Sequence, residues 1–401
     1  MIRHLLKIVW SRRRGNALVA VEMLASFLVL LGVLTLGLFY LDNYRRPIGF
    51  SYRDVWRLEV QTPRRFGDSA EAGRAETVRQ LFAAVRSTPG VFGVAGGSPT
   101  PFSQSSSSRG YDRQGRRVEY EQAWVTDGLA DVLGLRVVRG RFFSREDDAA
   151  TWEPVVVTES LARELFGDED PLGRNISGER DPQGEPEPER RVVGVVTAFR
   201  QEGEFDPPAH YVFERQRIDG ENAALRGDLL VRVAPGSTAE LEERLVRVAQ
   251  GVARDWTFRV EPLSVARERV GRFYLAPVIV VGLVAGFLAV MVALGLTGVL
   301  WLAVTRRTRE IGLRRAKGAT RGDIRGLVLG EILVLTTLAL LPGVLLALQL
   351  PLVGVLPVPG RVFAASLALS VGGIYLLAVL CGWYPARLAA RVEPAEALRY
   401  E

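Results

Sequence analysis

Residues 273–304 read FYLAPVIVVGLVAGFLAVMVALGLTGVLWLAV, an unbroken run without a charged side chain. The hydrocarbon core of a bilayer is about 30 Å thick, and a helix needs roughly 20 apolar residues to cross it. At a rise of 1.5 Å per residue, this run forms a helix of about 48 Å. The run therefore predicts a transmembrane helix that extends beyond the hydrocarbon as a stalk.

Three further apolar runs have the length of a membrane span. They cover residues 17–41, 327–350 and 362–383. Aromatic residues that favour the headgroup region, such as Trp301 and Trp383, lie near the ends of the runs. A cleaved signal peptide is the alternative for the first run, but that run is too long and no small-residue cleavage site follows Tyr40. We therefore predict four transmembrane helices, one before and three after a large domain at 42–272.

Basic residues are distributed unevenly among the segments between these runs. Residues 1–16 carry five Arg and Lys residues and residues 305–326 carry eight, whereas the short connection at 351–361 carries only Arg361. Cytoplasmic loops of membrane proteins are enriched in Arg and Lys. Both termini and the basic segment are therefore expected in the cytoplasm, with residues 42–272 on the outer side.

The N-terminal segment also shows a helical periodicity. Its apolar positions are Ile2, Leu5, Leu6 and Val9. They recur at i, i+3, i+4 and i+7, between basic residues. This pattern predicts a short amphipathic helix over residues 1–16 that lies against the membrane lipid of the inner leaflet.

The composition excludes several classes of site. The formal net charge of +6 follows from the uneven loops and indicates membrane topology, not a nucleic-acid interface. The single cysteine, Cys381, excludes an intrachain disulfide and a Cys-based metal site. The two histidines, His4 and His210, lie far apart and have no neighbour at ligand spacing. We therefore expect no metal centre, no His-based catalytic site and no cofactor in this chain.

Two carboxylates interrupt the apolar runs. Glu22 and Glu331 lie about a turn or more inside their spans, near the cytoplasmic side. An ionisable residue within a membrane is a functional candidate by default. The structural alternative, which we favour, is that these side chains extend to the headgroups or pair with Arg12–Arg14 or Arg325.

Residues 42–272 alternate between strand and helix signals. The expected strands are 56–62, 90–95, 154–157, 192–196, 229–233 and 257–260. One helix is expected at 70–86, and a capping box at Ser237–Glu240 opens a second that ends near Val252. Polar loops are expected at 98–108 and 179–190. Two strand–helix–strand units around a long insertion predict an α+β domain of split βαβ type, without a catalytic constellation.

Several stretches, in order along the chain, resemble a known family. The stretches in the large domain are Gly134–Phe143, Pro154–Ser160, Leu165–Gly167, Asp170–Gly173 and Val192–Val196. They resemble the MacB-type periplasmic core domain. Arg309–Ala319 is similar to the cytoplasmic signature of the FtsX-like permease domain, and Pro385–Arg387 with Glu393–Leu398 is similar to that domain's ending. The resemblance covers nearly the whole chain and implies an ABC transporter permease of the mechanotransmission type in the bacterial inner membrane.

The resemblance also implies partners. In this family two permeases, identical or related, pair in the membrane, and each binds a separate or fused ATPase, in some systems with a periplasmic adaptor protein. A P-loop requires Gly-Lys-Ser/Thr, because the lysine reaches the phosphates and the hydroxyl holds magnesium. Here Lys7 precedes Ile8 and Lys317 precedes Gly318. ATP and magnesium are therefore expected in a partner ATPase.

The basic segment between the second and third spans is the expected contact with that ATPase. A charged helix end continues the second span, Gly318 interrupts it, and Thr320 caps the next helix with Asp323 in its first turn. The resemblance implies a coupling helix that consists of Arg309, Glu310, Ile311, Gly312, Leu313, Arg314, Arg315, Ala316, Lys317, Gly318 and Ala319. The alternative is a solvated basic loop that only follows the positive-inside rule.

Three functions remain open. The first, which the large MacB-like domain favours, is a permease that exports or extracts a peptide, antibiotic or lipidic substrate. The second is an FtsX-like signalling scaffold whose outer domain activates a periplasmic partner such as a cell-wall hydrolase. The third is a sensor, for which the sequence contains no cytoplasmic output domain.

Overall fold

The computed structural model describes residues 13–63, 68–103, 105, 107–113, 116–177, 188–218, 225–354 and 358–391. The chain forms two compact units, which we call the membrane unit (Met1–Asp42 with Leu275–Glu401) and the α/β unit (Asn43–Tyr274). Most of the predicted amphipathic helix, most of the predicted 179–190 loop and the motif at 393–398 lie outside the described residues.

The helices and strands are numbered in chain order. The helices are α1 (Arg13–Tyr44), α2 (Asp68–Arg86), α3 (Leu129–Leu133), α4 (Glu159–Phe166), α5 (Ala239–Val252), α6 (Leu263–Arg306), α7 (Thr308–Ala316), α8 (Arg321–Leu352) and α9 (Gly360–Ala389). The strands are β1 (Val55–Gln61), β2 (Val91–Ser98), β3 (Ser108–Arg113), β4 (Arg116–Val125), β5 (Val137–Gly140), β6 (Glu153–Thr158), β7 (Arg190–Val196), β8 (Tyr211–Arg215), β9 (Asp228–Val233) and β10 (Thr257–Pro262). Residues Arg145–Ala149 form a 3-10 helix.

Four of the described helices, α1, α6, α8 and α9, are long and apolar enough to cross a membrane. Each contains one of the predicted apolar runs, so the prediction of four transmembrane helices is confirmed. The second is longer than expected, because α6 has 44 residues and begins at Leu263. Hydropathy misses this beginning because charged residues interrupt it. Leu263, Ala266 and Val270 are nevertheless buried in the core of the α/β unit.

One apolar cluster joins the described helices of the membrane unit and draws residues from α1, α6, α7, α8 and α9. α9 presents small buried residues at a four-residue spacing, Ala378, Gly382 and Ala386. Small residues at such positions let helix backbones approach closely in a membrane. A Cβ atom on Gly382 would lie 2.1 Å from Cδ1 of Ile332 on α8. The close packing of α8 and α9 therefore depends on glycine at this position.

The described strands of the α/β unit form one sheet in the order β10-β1-β9-β2-β4-β8-β6-β7-β5, and β3 pairs with β4. In the first half of the sheet, β9 lies antiparallel between β1 and β2, and β1 lies antiparallel between β9 and β10. α2 connects β1 to β2, and α5 connects β9 to β10. The two strand–helix–strand units are interleaved, which confirms the predicted split βαβ layout.

The second half of the sheet contains strands that the sequence pattern did not predict. β3 reads SRGYDR and β4 reads RRVEYEQAWV, so half of the residues in β3 and four of the ten in β4 are charged. Val118 and Tyr120 are buried at alternate positions, but the polar residues around them conceal that alternation. The predicted 98–108 loop ends where β3 begins at Ser108.

The predicted capping box at the start of α5 is wrong. α5 begins after Thr238, whose side chain makes no capping hydrogen bond. The Ser237 hydroxyl instead donates to the carbonyl of Ala234 at 2.7 Å. Serine competes for backbone groups in turns as readily as at helix ends, so the spacing of Ser237 and Glu240 was not decisive.

A buried arginine fixes the first residues of the α/β unit. The guanidinium of Arg200 donates to the backbone carbonyls of Asn43 (2.9 Å), Arg46 (3.1 Å), Glu204 (2.8 Å) and Asp206. Burial is also the main reason why the pKa of the Asp206 carboxyl is raised to about 6. This polar cluster holds the chain where α1 ends and the domain begins.

Candidate functional site

The predicted coupling segment folds as a helix of its own. α6 ends at Arg306, and Arg307 has φ −109° and ψ 11°, so the helix does not continue into the basic segment as predicted. α7 begins at Thr308, and after it Gly318 has a φ of +97°, which glycine adopts without strain. α7 is therefore bounded by a break on either side, and only the second break was predicted.

The cap of the following helix agrees with the prediction. The backbone N–H of Asp323 donates to the Thr320 hydroxyl at 3.2 Å, and the backbone N–H of Thr320 donates to the Asp323 carboxylate at 2.8 Å. This reciprocal arrangement is a capping box, which satisfies two backbone donors at the start of α8. The turn between α7 and α8 is thus held in one conformation.

The inner face of α7 is part of the membrane unit's core. Ile311 is 5% exposed, and the adjacent Gly312 is also buried. Ile311 belongs to the same apolar cluster as Val304 of α6, Ile324 of α8 and Ala386 of α9. A well-packed side chain transmits displacement because protein interiors are nearly as dense as organic crystals. α7 is therefore anchored to the ends of three long helices.

The outer face of α7 is open. Of the predicted coupling residues, those exposed are Arg309, Glu310, Leu313, Ala316, Lys317 and Gly318. Those half-buried are Arg314, Arg315 and Ala319. Arg309, Leu313 and Ala316 follow the i, i+4, i+7 spacing of one helix face, and Leu313 is 48% exposed. The structure thus brings the exposed Leu313 and the flanking cation Arg309 together on one surface, which we call the outer face of α7.

Polar contacts fasten the rest of α7. The Arg315 guanidinium donates to the carbonyl of Ala390, just after α9, at 3.4 Å. Arg314 pairs with Glu310 at 2.7 Å one turn away. Such exposed pairs contribute little to stability. The two contacts orient the side chains of α7 but leave its outer face accessible.

The intramembrane carboxylate Glu331 has a partner that the sequence did not indicate. Its carboxylate pairs with the Arg307 guanidinium at 2.5 Å, not with the predicted Arg325. The two side chains are only 15% and 19% exposed. Arg307 lies at the break between α6 and α7, so the pair ties that break to α8. The sequence offered one weak signal, a cation at the end of the apolar run.

Glu22 lies in a different environment. It is half-buried on α1, and a Cβ atom on Gly295 would lie 2.9 Å from its Oε2 atom. The carboxylate therefore packs against the backbone of α6 where glycine leaves space. The side chains of Arg12–Arg14, its predicted partners, lie outside the described part of the chain. Glu22 therefore packs against α6, whereas Glu331 pairs with Arg307 at the break between α6 and α7.

Comparisons with protein families match both parts of the chain. The MacB-like periplasmic core domain matches residues 26–248, and the FtsX-like permease C-terminal domain matches residues 282–394. The first match alone covers more than half of the 401 residues.

Individual relatives agree with these matches. A macrolide export ATP-binding/permease protein MacB from Bdellovibrio bacteriovorus is 31% identical over 65% of this chain and 41% of its own length. An uncharacterized ABC transporter permease YknZ from Bacillus subtilis is 28% identical over 69% of each chain. The chain therefore spans less than half of the first relative and about two thirds of the second.

Among solved structures, the periplasmic region of MacB from Actinobacillus actinomycetemcomitans aligns with 54% of this chain and 92% of its own, at 15% identity and a TM-score of 0.36. With both family domains matched in the expected order, the chain belongs to the family of ABC transporter permeases that combine a MacB-like periplasmic core domain with an FtsX-like permease C-terminal domain.

Proposed function

We propose that this chain is the permease subunit of a mechanotransmission-type ABC transporter. A separate ATPase binds the outer face of α7, and its ATP hydrolysis moves the α/β unit to export or extract a peptide, antibiotic or lipidic substrate. The observation that carries this proposal is the two-sided nature of α7, which has Ile311 packed inward and Leu313 exposed outward.

The anchoring of α7 supports a mechanical role. A solvated loop that only obeyed the positive-inside rule would need no buried side chains. α7 instead buries Ile311 against α6, α8 and α9, and the Arg307–Glu331 pair fastens its N-terminal end to α8. A force applied to α7 by a partner would therefore reach the ends of those helices together.

The length of α6 supports transmission to the outer domain. Near its start, Leu263 and Ala266 are buried in the core of the α/β unit. Near its end, Leu300 and Val304 are buried in the core of the membrane unit. In this proposal the helix carries displacement along its axis as one element, although Pro277 within it donates no backbone hydrogen bond.

We further propose that both termini and α7 lie in the cytoplasm and that the membrane is the bacterial inner membrane, as the loop charges suggest. A second permease copy would pair along α6. Only 6% of the most apolar stretch of α6 is buried, against 28–39% for the other three spans. An identical or related chain, with lipid around it, would cover this surface. A periplasmic adaptor remains a further proposed partner.

The experiment uses the full chain in lipid nanodiscs and an ABC ATPase encoded in the same genome. We expect the two to copurify and the chain to stimulate ATP hydrolysis. The double variant Arg309→Glu/Leu313→Asp changes only exposed residues and should abolish both effects.

The matched control is Arg244→Glu, an equally drastic charge change at an exposed position on α5. This variant should leave association and stimulation unchanged. Copurification that survives the double variant would refute α7 as the ATPase contact. Failure of any ABC ATPase to bind the wild-type chain would refute the transporter assignment itself.

A further inference from the structure

The second half of the sheet carries a cleft of about 580 Å³ that the proposed coupling does not use. It lies entirely within the α/β unit. Its walls come from β3, from the 3-10 helix Arg145–Ala149 with the residues that follow it, and from the segment after β8. Pockets of this size accommodate small ligands.

The cleft forms where four strands extend beyond the helix that covers them. Near α4, the sheet face is apolar and includes Tyr120, Val155, Val192 and Val212. Successive side chains on one face of a strand are two residues apart. The next positions on that face are polar or aromatic and line the cleft, namely Gln122 and Trp124 on β4, Glu214 on β8, Glu153 on β6 and Arg190 on β7.

The strand directions bring these positions to one end of the sheet. β4 and β8 are parallel, β6 is antiparallel to β8, and β7 is parallel to β6. The polar residues at the ends of β4 and β8 therefore meet those at the starts of β6 and β7. The floor of the cleft is thus a polar continuation of an otherwise apolar face.

The charges around the cleft largely neutralise one another. Arg190 lies 3.3 Å from Glu153 and 3.5 Å from Glu214. Arg215 pairs with Asp127 at 2.7 Å and with Asp148 at 2.6 Å. Both arginine side chains are only 8% exposed. A strongly charged ligand would have to displace these ion pairs, so the cleft favours a neutral ligand.

Two acceptor atoms in the floor lack a hydrogen-bond donor within the described part of the chain. They are Oε1 of Gln122 and Oε1 of Glu214, the second of which has only the ion-pair contact with Arg190 Nε at 3.5 Å. Gln122 is only 1% exposed, and burial raises the pKa of the Glu214 carboxyl. A buried acceptor without a donor is destabilising, because it loses its hydrogen bonds to water and gains none in return. The floor therefore presents two acceptors to which the hydrogen-bond donors of an occupant could donate.

Two tryptophans add apolar surface to the same cleft. Trp124 and Trp152 both line it. Arg226 lies 4.9 Å from the centre of the Trp124 ring, and Arg191 lies 5.4 Å from that of Trp152. Such cation–π contacts hold the rings in fixed orientations. The rings can then stack on an apolar face of a ligand.

We propose that this cleft binds a neutral, polyhydroxylated ligand of the sugar type. Its hydroxyl groups would donate to Gln122 Oε1 and Glu214 Oε1, and its C–H faces would stack on Trp124 and Trp152. A peptide that adds a strand needs the unpaired backbone of a sheet edge. This cleft lies on the sheet face, where side chains make the contacts. The inference is independent of the proposed coupling, because ligand binding needs no ATPase.

The test measures saccharide binding by the full chain in nanodiscs without nucleotide. Chitotriose and maltotriose serve as probes, and a neutral tetrapeptide serves as the comparison ligand, in saturation-transfer NMR. We expect millimolar or tighter binding of a saccharide, at least about tenfold weaker in Gln122→Ala. Gln61→Ala, an exposed glutamine on β1, is the matched control and should bind as the wild type does.

If Gln122→Ala does not fold, as judged by its unfolding temperature, Trp124→Ala provides the same test, since Trp124 is only half-buried. Saturation transfer to the tetrapeptide alone would overturn the proposal. So would the absence of saturation transfer to every saccharide probe, or saccharide binding that both variants retain. None of these outcomes bears on association with an ATPase.

Discussion

Leu313 and Ile311 offer a matched pair for testing the coupling helix, because similar side chains lie on opposite faces of α7. Leu313 is 48% exposed, so about half of its side chain remains for a partner to cover. Complete burial of a leucine contributes about 1.5–3 kcal/mol, and half of that is about 1 kcal/mol. Leu313→Ala should therefore raise the Kd for the ATPase about fivefold.

Ile311→Ala should act differently. Ile311 is 5% exposed within the apolar cluster of the membrane unit. Truncating a packed isoleucine to alanine costs about 2–5 kcal/mol, since it leaves a cavity. We expect a lower unfolding temperature and a large loss of ATPase stimulation, because α7 is then loosened from the ends of α6, α8 and α9.

The assay combines biolayer interferometry, with the chain immobilised in nanodiscs and the ATPase in solution, with differential scanning fluorimetry. Leu313→Ala should leave the unfolding temperature unchanged, as exposed substitutions usually change stability by less than about 0.5 kcal/mol. Two results would refute the reasoning. One is an unchanged Kd for Leu313→Ala, and the other is an equal loss of thermal stability in both variants.

Three further predictions concern other parts of the chain. Glu331→Gln and Arg307→Ala should each lower the unfolding temperature. The double variant should lose less stability than the sum of the two single losses, since removing both charges leaves neither unpaired. Additive losses in a double-mutant cycle would contradict the pair. Gly382→Leu should destabilise the chain by about 1–3 kcal/mol through overpacking. Gly372→Leu should not, because open space surrounds Gly372. Thermal unfolding of the two variants measures the difference. The pKa of Asp206 is raised to about 6, so folding favours its protonated form. The wild type should therefore lose stability relative to Asp206→Asn as the pH rises through about 6. A difference in unfolding temperature between wild type and variant that stays constant from about pH 4 to about pH 7 would contradict this.

The four membrane spans and the split βαβ half of the sheet could be predicted because both signals are local. Hydropathy over a window needs no knowledge of neighbours, and the runs at 273–304 and 362–383 contain no charged residue. Likewise, β1, α2 and β2 follow one another with clear periodicity and breaks. The motif at Arg309–Ala319 was visible for the same reason, as a contiguous stretch.

Tertiary structure alone decided the features that depend on pairing across the chain. The charged start of α6 is helical because Leu263 and Ala266 pack into a core that lies elsewhere in sequence. Glu331 pairs with Arg307, and not with Arg325, which is nearer in sequence. The break after α6 turns the Arg307 side chain toward α8. The division of α7 into an anchored and an open face likewise depends on where α6, α8 and α9 end.

The cleft is the feature that the sequence alone was least able to predict. Gln122, Glu153, Arg190 and Glu214 are isolated polar residues in the sequence and look like any solvated surface. They share one floor only because β4, β8, β6 and β7 pair in that spatial order, with directions that bring their polar ends together. Strand order and direction arise from non-local hydrogen bonds, and a single sequence specifies them only through the packing of the complete domain.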